Sequence, residues 1–549
     1  MNQAPVHTRQ AIRWPIRFSK EMEKKYGSVW PNKNLLDCIA EYMNTRGDEV
    51  GVVDRGARYT FHEIVMKAER FAHWMQSQGL QSGDVVSFQL PNWHEAIVVT
   101  IACSMIGAVV NPVVPIYRER ELEYILKDAE TKLLVIPGLF RGFDYSRMVS
   151  ELRNKPPLVV CCDASEQRFV TFDQIQSDHI GKKPQYFPIH PNALAYILYT
   201  SGTESSPKGV EHTQNVLIYD LQNTIENNRI TEKDVLFGAS PVTHITGLIY
   251  YILLPFVRGV RVCLFDVWNP GEAVRLIEQE RCTWTVGATP FLQDLLFHSV
   301  EGKHDISSIR AFRCGGADVP PSLIIEANRR GINTYRAYGC TEHPTISGLL
   351  FDSTDPDFKR QSMTDGRIHS GIELRCVNPD DTNIDMAVGE VGEILTRGPD
   401  LSMGYHNEKL NMVAFDADGW FRTGDLGFVD REGFITITGR KKDIIIRKGE
   451  NISTKEIEDI ISSHAGIREV AVVGIPDEER GEKICAVVVP VEGFEFTFSD
   501  LVDLFKGSKV AKQKIPEQLE IRQSLPKTAS GKIRKSEIRD ELSNKSHAA

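Results

Sequence analysis

Residues Tyr199-Thr200-Ser201-Gly202-Thr203-Glu204-Ser205-Ser206-Pro207-Lys208-Gly209 place small hydroxyl side chains, glycines and a lysine directly after an apolar run, Leu194 to Leu198. A loop of this kind behind a strand can turn several backbone amides toward one phosphate, with hydroxyls adding donors and Lys208 adding charge. The same composition also suits a solvated surface loop. It is not a Walker loop, because proline precedes the lysine and glycine follows it. Three further segments set ionisable groups beside glycine turns: Tyr338-Gly339-Cys340-Thr341-Glu342, Trp420-Phe421-Arg422-Thr423-Gly424-Asp425, and Pro526-Lys527-Thr528-Ala529-Ser530-Gly531-Lys532-Ile533-Arg534-Lys535. Taken singly, a glutamate by a turn or a lysine in a basic tail reads as a solvated surface charge, and Tyr338 as a half-buried core residue.

In this order and at these separations, the four segments resemble the acyl-adenylate-forming superfamily of acyl-CoA synthetases, luciferases and peptide-synthetase adenylation domains. The resemblance runs from about Leu35 to Lys535. Gly287-Ala288-Thr289-Pro290-Phe291, Arg313-Cys314-Gly315-Gly316-Ala317 and Gly439-Arg440-Lys441-Lys442-Asp443-Ile444-Ile445 are most similar to bacterial medium-chain fatty-acid and cyclohexanecarboxylate CoA ligases. The resemblance implies two steps. A carboxylate attacks the α-phosphate of ATP to give an acyl-adenylate and pyrophosphate, and the thiol of coenzyme A then displaces AMP. Bringing an anion against a polyanion demands positive charge and fixed donors where negative charge accumulates.

By the same resemblance, Thr200, Ser201, Gly202, Thr203 and Lys208 would grip the phosphates. Glu342, with Thr200, would hold Mg²⁺, and Thr341 would meet the α-phosphate. Tyr338 and Gly339 would form one wall of the adenine site, and Gly315, Gly316 and Ala317 the other. Asp425 and Arg440 would take the ribose, and Lys532 would bond the reacting carboxylate and α-phosphate. Lys442 matches the family's hinge, about which Lys448, Gly449 and Glu450 would replace Lys532 for thiolation. The pattern departs at Ser205 and Ser206, where most members carry glycine, and at Gln214, where many carry histidine or arginine.

The acid site in such enzymes is lined by the segment around His244. Here Pro241 to Leu248 is apolar, and no acidic residue lies between Val235 and Arg258. A substrate ammonium would be left unpaired there, which disfavours amino acids and points to an apolar carboxylate. His244 reads either as a gate for the carboxylate or as a packed core histidine. No long insertion separates Asp443 from Ser453, which favours coenzyme A over a carrier-protein phosphopantetheine as acceptor. The intact Lys532, Glu342 and Asp425 oppose a non-catalytic scaffold role.

These residues need elements to hold them. Thr60 and Glu63 form a capping box, followed by Val65, Ala68, Phe71, Ala72 and Met75 at helical spacing and a stop at Gly79. Val85 to Leu90 reads as a strand, His94 to Ile106 as a buried helix and Leu133 to Ile136 as a strand. This alternation predicts an α/β protein with parallel-rich sheets covered by helices. A charged break at residues 439–443 suggests a large domain, residues 1–439, and a small α+β domain, residues 440–549. In the latter, Ser453 and Glu456 cap a helix carrying Ile457, Ile460 and Ile461.

The 549 residues suit more than one domain. A net charge of −10, from 64 basic and 74 acidic side chains, gives no bulk attraction to nucleic acid. The apolar stretch Ile245 to Val257 is broken by Thr246, Gly247 and Pro255 and is too short for the ~20 residues a bilayer needs, so stable membrane insertion is not expected. The first residues lack the apolar core of a secretory signal. Ten cysteines without a C-x-x-C argue against zinc and disulfides, and a cytoplasmic location is expected. The expected partners are therefore a small carboxylate, ATP, Mg²⁺ and coenzyme A, with a homodimer left open.

Overall fold

Short β-branched runs separated by helices build two parallel sheets in this computed structural model, which describes residues 12–200, 207–315, 319–349, 357, 361–447, 450–477, 480–508, 510–528 and 532–547. One sheet runs, in spatial order, Asn333–Ala337, Ala311–Gly315, Trp284–Gly287, Val235–Gly238, Arg261–Leu264, Val50–Asp54 and Ala57–Thr60. Its ladders are parallel except for the last hairpin. The other runs Lys208–Thr213, Leu194–Thr200, Val109–Pro112, Val85–Phe88, Thr131–Ile136, Leu158–Cys161 and Val170–Thr171. Only its first pair is antiparallel.

A parallel sheet has both faces covered, so its strands read as nearly unbroken apolar runs. Val85–Phe88 and Val109–Pro112 are buried at every position. The helix His94–Ile106 has all of its residues buried and ends on Gly107 at φ 77°, the left-handed conformation that closes many helices. It packs against the helix Phe61–Ser77, whose Thr60–Glu63 capping box forms as the sequence suggested. Both contribute to one core shared by the two sheets.

A four-stranded antiparallel sheet follows: Glu373–Val377, Gly392–Arg397, Phe421–Val429 and Ile435–Arg440. The last strand runs through Gly439 to Arg440, and a 3₁₀ turn, Lys441–Asp443, comes after it. Beyond the turn lies a smaller sheet of Glu450–Ile452, Ile445–Arg447, Gly481–Pro490 and Ile467–Asp477, with Gln518–Ile521 added in parallel. Alternate residues of its central pair face two cores. Val472, Ile484, Ala486 and Val488 pack with Ile457 and Ile461 of the helix Thr454–Ser462. Ala471, Val473 and Val487 pack with Ile538 and Leu542 of the helix Lys535–His547. No described helix is long and apolar enough to cross a membrane.

Candidate active site

Thr200 ends its strand directly opposite Lys208, the first residue of the returning strand. The Thr200 hydroxyl donates to the Lys208 carbonyl oxygen at 3.5 Å. The Lys208 ammonium sits 5.9 Å from the centre of the Tyr405 ring, within cation–π range. The Tyr405 hydroxyl donates to Glu342 Oε1 at 2.6 Å. The Glu342 side chain makes no other hydrogen bond among the described residues.

Glu342 and Thr341 lie in a loop pinned from behind. His343 is fully buried, with Nδ1 2.9 Å from Thr396 Oγ1 and Nε2 2.9 Å from Asp400 Oδ1. The Cys340 amide donates to the His343 carbonyl at 3.0 Å, and the Ser402 amide to the Glu342 carbonyl at 2.8 Å. His212 Nε2 donates to the Thr341 carbonyl at 2.8 Å. Burial pushes His212 down to about 4, so its imidazole is neutral and the proton sits on Nε2, the nitrogen facing a pure acceptor. At Gly339 a β-carbon would meet the Pro344 carbonyl oxygen at 2.1 Å, so only glycine fits.

Asp425 and Arg440 are cross-strand neighbours, with Arg440 Nε 2.8 Å from Asp425 Oδ1. The Tyr338 hydroxyl donates to Asp425 Oδ2 at 2.7 Å, and burial beside that carboxylate raises the phenol's pKa well above its ordinary value. Lys532 reaches the same cluster. Burial, reinforced by the Arg440 cation, lowers the Lys532 pKa, while Asp425, Cys340 and Glu342 pull it back up. The loop carrying it is stapled to its own domain: the Thr528 amide donates to the Lys532 carbonyl at 2.7 Å, and the Lys532 amide to Thr528 Oγ1 at 3.1 Å.

His244 is half-buried at the start of the short helix Ile245–Gly247, and its Nδ1 accepts from the Thr246 amide at 3.4 Å. Burial, and then the Lys532 charge, push it down to about 3. It therefore faces Lys532 as a neutral ring. The loop ahead of it hangs on Asn92, whose Nδ2 donates to the carbonyls of Gly238, Ser240 and Phe265 and whose Oδ1 accepts from the Val242 amide.

Lys532, Glu342, Asp425, Arg440, Tyr338 and His244 thus converge with Cys340 and Tyr405, and Thr200, Lys208, Gly315, Gly339 and Thr341 lie on the strands and loop around them. Ser201, Gly202, Thr203, Gly316, Ala317, Lys448 and Gly449 fall outside the described residues. Gln214 is buried and accepts from the Leu35 amide at 2.5 Å. Tyr405, His212, His343 and Asn92 were not singled out from sequence.

The Glu342 carboxylate, with one oxygen held and the other unengaged, is a hard oxygen donor suited to Mg²⁺. A separate buried trio, Asp54, His94 and Glu95, has metal-like spacing. There Arg55 Nη2 lies 2.9 Å from Asp54 Oδ2 and 2.7 Å from Glu95 Oε2, so a guanidinium already supplies the positive charge.

Two parallel sheets, an antiparallel sheet and a small carboxy-terminal body meeting at a carboxylate–lysine cluster define the adenylate-forming class of enzymes. The sequence model for the AMP-binding enzyme matches residues 39–406, and that for its C-terminal domain matches residues 456–532. The chain is similar to a medium-chain fatty-acid–CoA ligase of Escherichia coli, 37% identical over 96% of this chain and 94% of that one. It is 31% identical to an indoleacetate–CoA ligase of Aromatoleum aromaticum over 88% of this chain and 94% of that one. Among solved structures, ATP-bound MatB from Rhodopseudomonas palustris superposes with a TM-score of 0.81, at 26% identity over 93% of this chain and 99% of that one. The chain belongs to the AMP-binding enzyme family.

Proposed function

We propose that the protein is an ATP- and Mg²⁺-dependent carboxylic acid–CoA ligase whose substrate has an apolar body, medium-chain or alicyclic. The observation that carries this reading is the convergence of Lys532, Glu342, Asp425 and Arg440, drawn from both parts of the chain, on one cluster. The relatives support it: one is named for medium-chain fatty acids and another for indoleacetate. The apolar segment after His244 agrees with a hydrophobic acyl body.

In this reading Asp425 and Arg440 orient the ribose and Tyr338 flanks adenine. Lys532 Nζ, a compact ammonium on a loop, bonds the substrate carboxylate and the α-phosphate as charge builds between them. Neutral His244 borders the carboxylate's path without adding a competing charge. Glu342 and Thr200 would hold Mg²⁺, which when bound neutralises phosphate oxygens. Residues 1–439 and 440–549 act as separate bodies hinged at Lys442, so that Lys448 and Gly449 replace Lys532 when coenzyme A attacks. Delivery to a carrier-protein phosphopantetheine is the competing reading.

The test is mass-spectrometric detection of acyl-CoA from ATP, Mg²⁺, coenzyme A and a panel from acetate to palmitate, with cyclohexanecarboxylate and benzoate. The expected product is a C6–C10 or alicyclic thioester that disappears in Lys532→Ala. Release of AMP and pyrophosphate without thioester would transfer the assignment to a carrier protein.

A further inference from the structure

One buried cation has no part in the scheme above. Arg313 is only 4% exposed. Its strand neighbours Phe312 and Cys314 point into the helix-covered core, so Arg313 points to the opposite face. There its Nη1 donates to the Tyr250 hydroxyl at 2.6 Å and to Thr224 Oγ1 at 3.3 Å. Among the described residues Nε and Nη2 donate to no protein group, although a guanidinium carries five N–H bonds to offer. The carboxyl that feels this charge, Asp220 of the helix Gln214–Asn227, forms no hydrogen bond with it. Burial and the neighbouring Asp400 push Asp220 up to about 7, so it is an incomplete counter-charge.

The place of this cluster relative to the reacting groups matters. Tyr250 lies in the π-helix Leu248–Leu253, on the segment that begins at His244. It stands six residues beyond His244, almost two helical turns along the same segment. Thr345 Oγ1, 2.8 Å from the Tyr250 hydroxyl, follows Glu342 by three residues. Arg313 precedes Gly315 by two strand residues, ~7 Å. Three segments that carry acid- or nucleotide-binding residues at one end therefore bring polar groups together at the other. Between His244 and Tyr250 the side chains Ile245, Leu248 and Ile249 are apolar.

We propose that Arg313 is the subsite for a second carboxylate at the far end of the acid substrate, so that the preferred acids are dicarboxylates with an apolar middle. The inference rests on the ligase reading and deepens it. The free Nε–H and Nη2–H edge of a guanidinium matches a carboxylate in bidentate fashion, and Tyr250 holds the fork in place. A substrate ending in methyl would leave that edge unmet. Where a site is built to hydrogen-bond a substrate group, discrimination against the analogue lacking it is large.

The experiment compares kcat/KM of the full-length protein for pairs of equal length, hexanoate with adipate and octanoate with suberate, and adds 8-hydroxyoctanoate. The expected result is at least a tenfold preference for the dicarboxylate, carried mainly by KM, that reverses in Arg313→Met and is partly restored in Arg313→Lys. Melting curves accompany each variant, and if Arg313→Met does not fold, the ratio in the unmutated protein decides alone. Preference for the monocarboxylates, or an unchanged ratio in a folded Arg313→Met, overturns the proposal. So does the hydroxy acid equalling suberate, which would mark a subsite for a neutral acceptor. Thioester formation from no acid at all would overturn the ligase reading and this inference with it.

Discussion

The Tyr405 phenol is the side chain that ties Lys208 and Glu342 together, with Lys208 over its ring and Glu342 on its hydroxyl. A hydrogen bond to a charged group contributes about 1.5–3 kcal/mol. Tyr405→Phe should therefore weaken the step that uses Glu342 by ten- to a hundredfold. Pyrophosphate exchange should fall and its Mg²⁺ requirement rise, while thioester formation from a supplied acyl-adenylate should hardly change. A uniform loss in both half-reactions would mean that the ring serves only packing. Asp220 gives a prediction for stability. Its carboxyl binds a proton more tightly in the folded than in the unfolded chain, so its contribution is fully present below about pH 4 and is lost as pH rises through about 7. Asp220→Asn should leave Tm nearly unchanged at pH 4 and raise it relative to the unmutated protein at pH 8. Equal Tm differences at both pH values would contradict the assignment.

At the scale of elements, the loop Tyr338–Thr345 depends on close backbone approach. Gly339→Ala would drive a methyl into the Pro344 carbonyl, displacing Glu342 and Thr341 together. We expect loss of adenylation by more than tenfold with a folded circular-dichroism spectrum, and an active Gly339→Ala would show that the loop tolerates a wider turn. The elements themselves were largely legible. His94–Ile106 read as a buried, mostly apolar helix and is closed by glycine, and the Thr60–Glu63 box fixed the start of its neighbour. What sequence could not convey was contact across distance. Tyr405 meets Glu342 across 63 residues, through the bridge between Tyr405 and Val210 that brings the strand end alongside. Arg313 stood out in sequence for the family likeness of its segment and not as a charge near the acid site, for the same reason. The lining was judged from Val235 to Arg258, whereas the charge arrives from a strand more than fifty residues onward. His343 reads in sequence as a neighbour of Glu342 and nothing more, until Asp400 and Thr396 close around both its nitrogens.

At the scale of the whole molecule, Lys532 comes from beyond the turn Lys441–Asp443 and Asp425, Arg440 and Glu342 from before it; on the proposed function that turn is where the chain would pass between two bodies. The Ser453 hydroxyl, which accepts from the Glu456 amide and so caps the first helix beyond the turn, also donates to the Thr438 carbonyl at 2.7 Å. Lys442→Pro fixes φ near −65° and removes the amide proton at this passage. We expect it to slow the two half-reactions unequally, thiolation more than adenylation, as read by single-turnover kinetics with ATP and with pre-formed acyl-adenylate. Equal rates in both steps would place the pivot elsewhere.

The ion pair of Asp425 with Arg440 lies one residue ahead of that turn. On the proposed function a ribose at Asp425 and Arg440 would compete for the same two side chains, so a bound nucleotide would act as a latch on the passage through that turn. Departure of AMP would then restore the pair and reset the latch, and on that reading we expect the thioester to leave before the nucleotide.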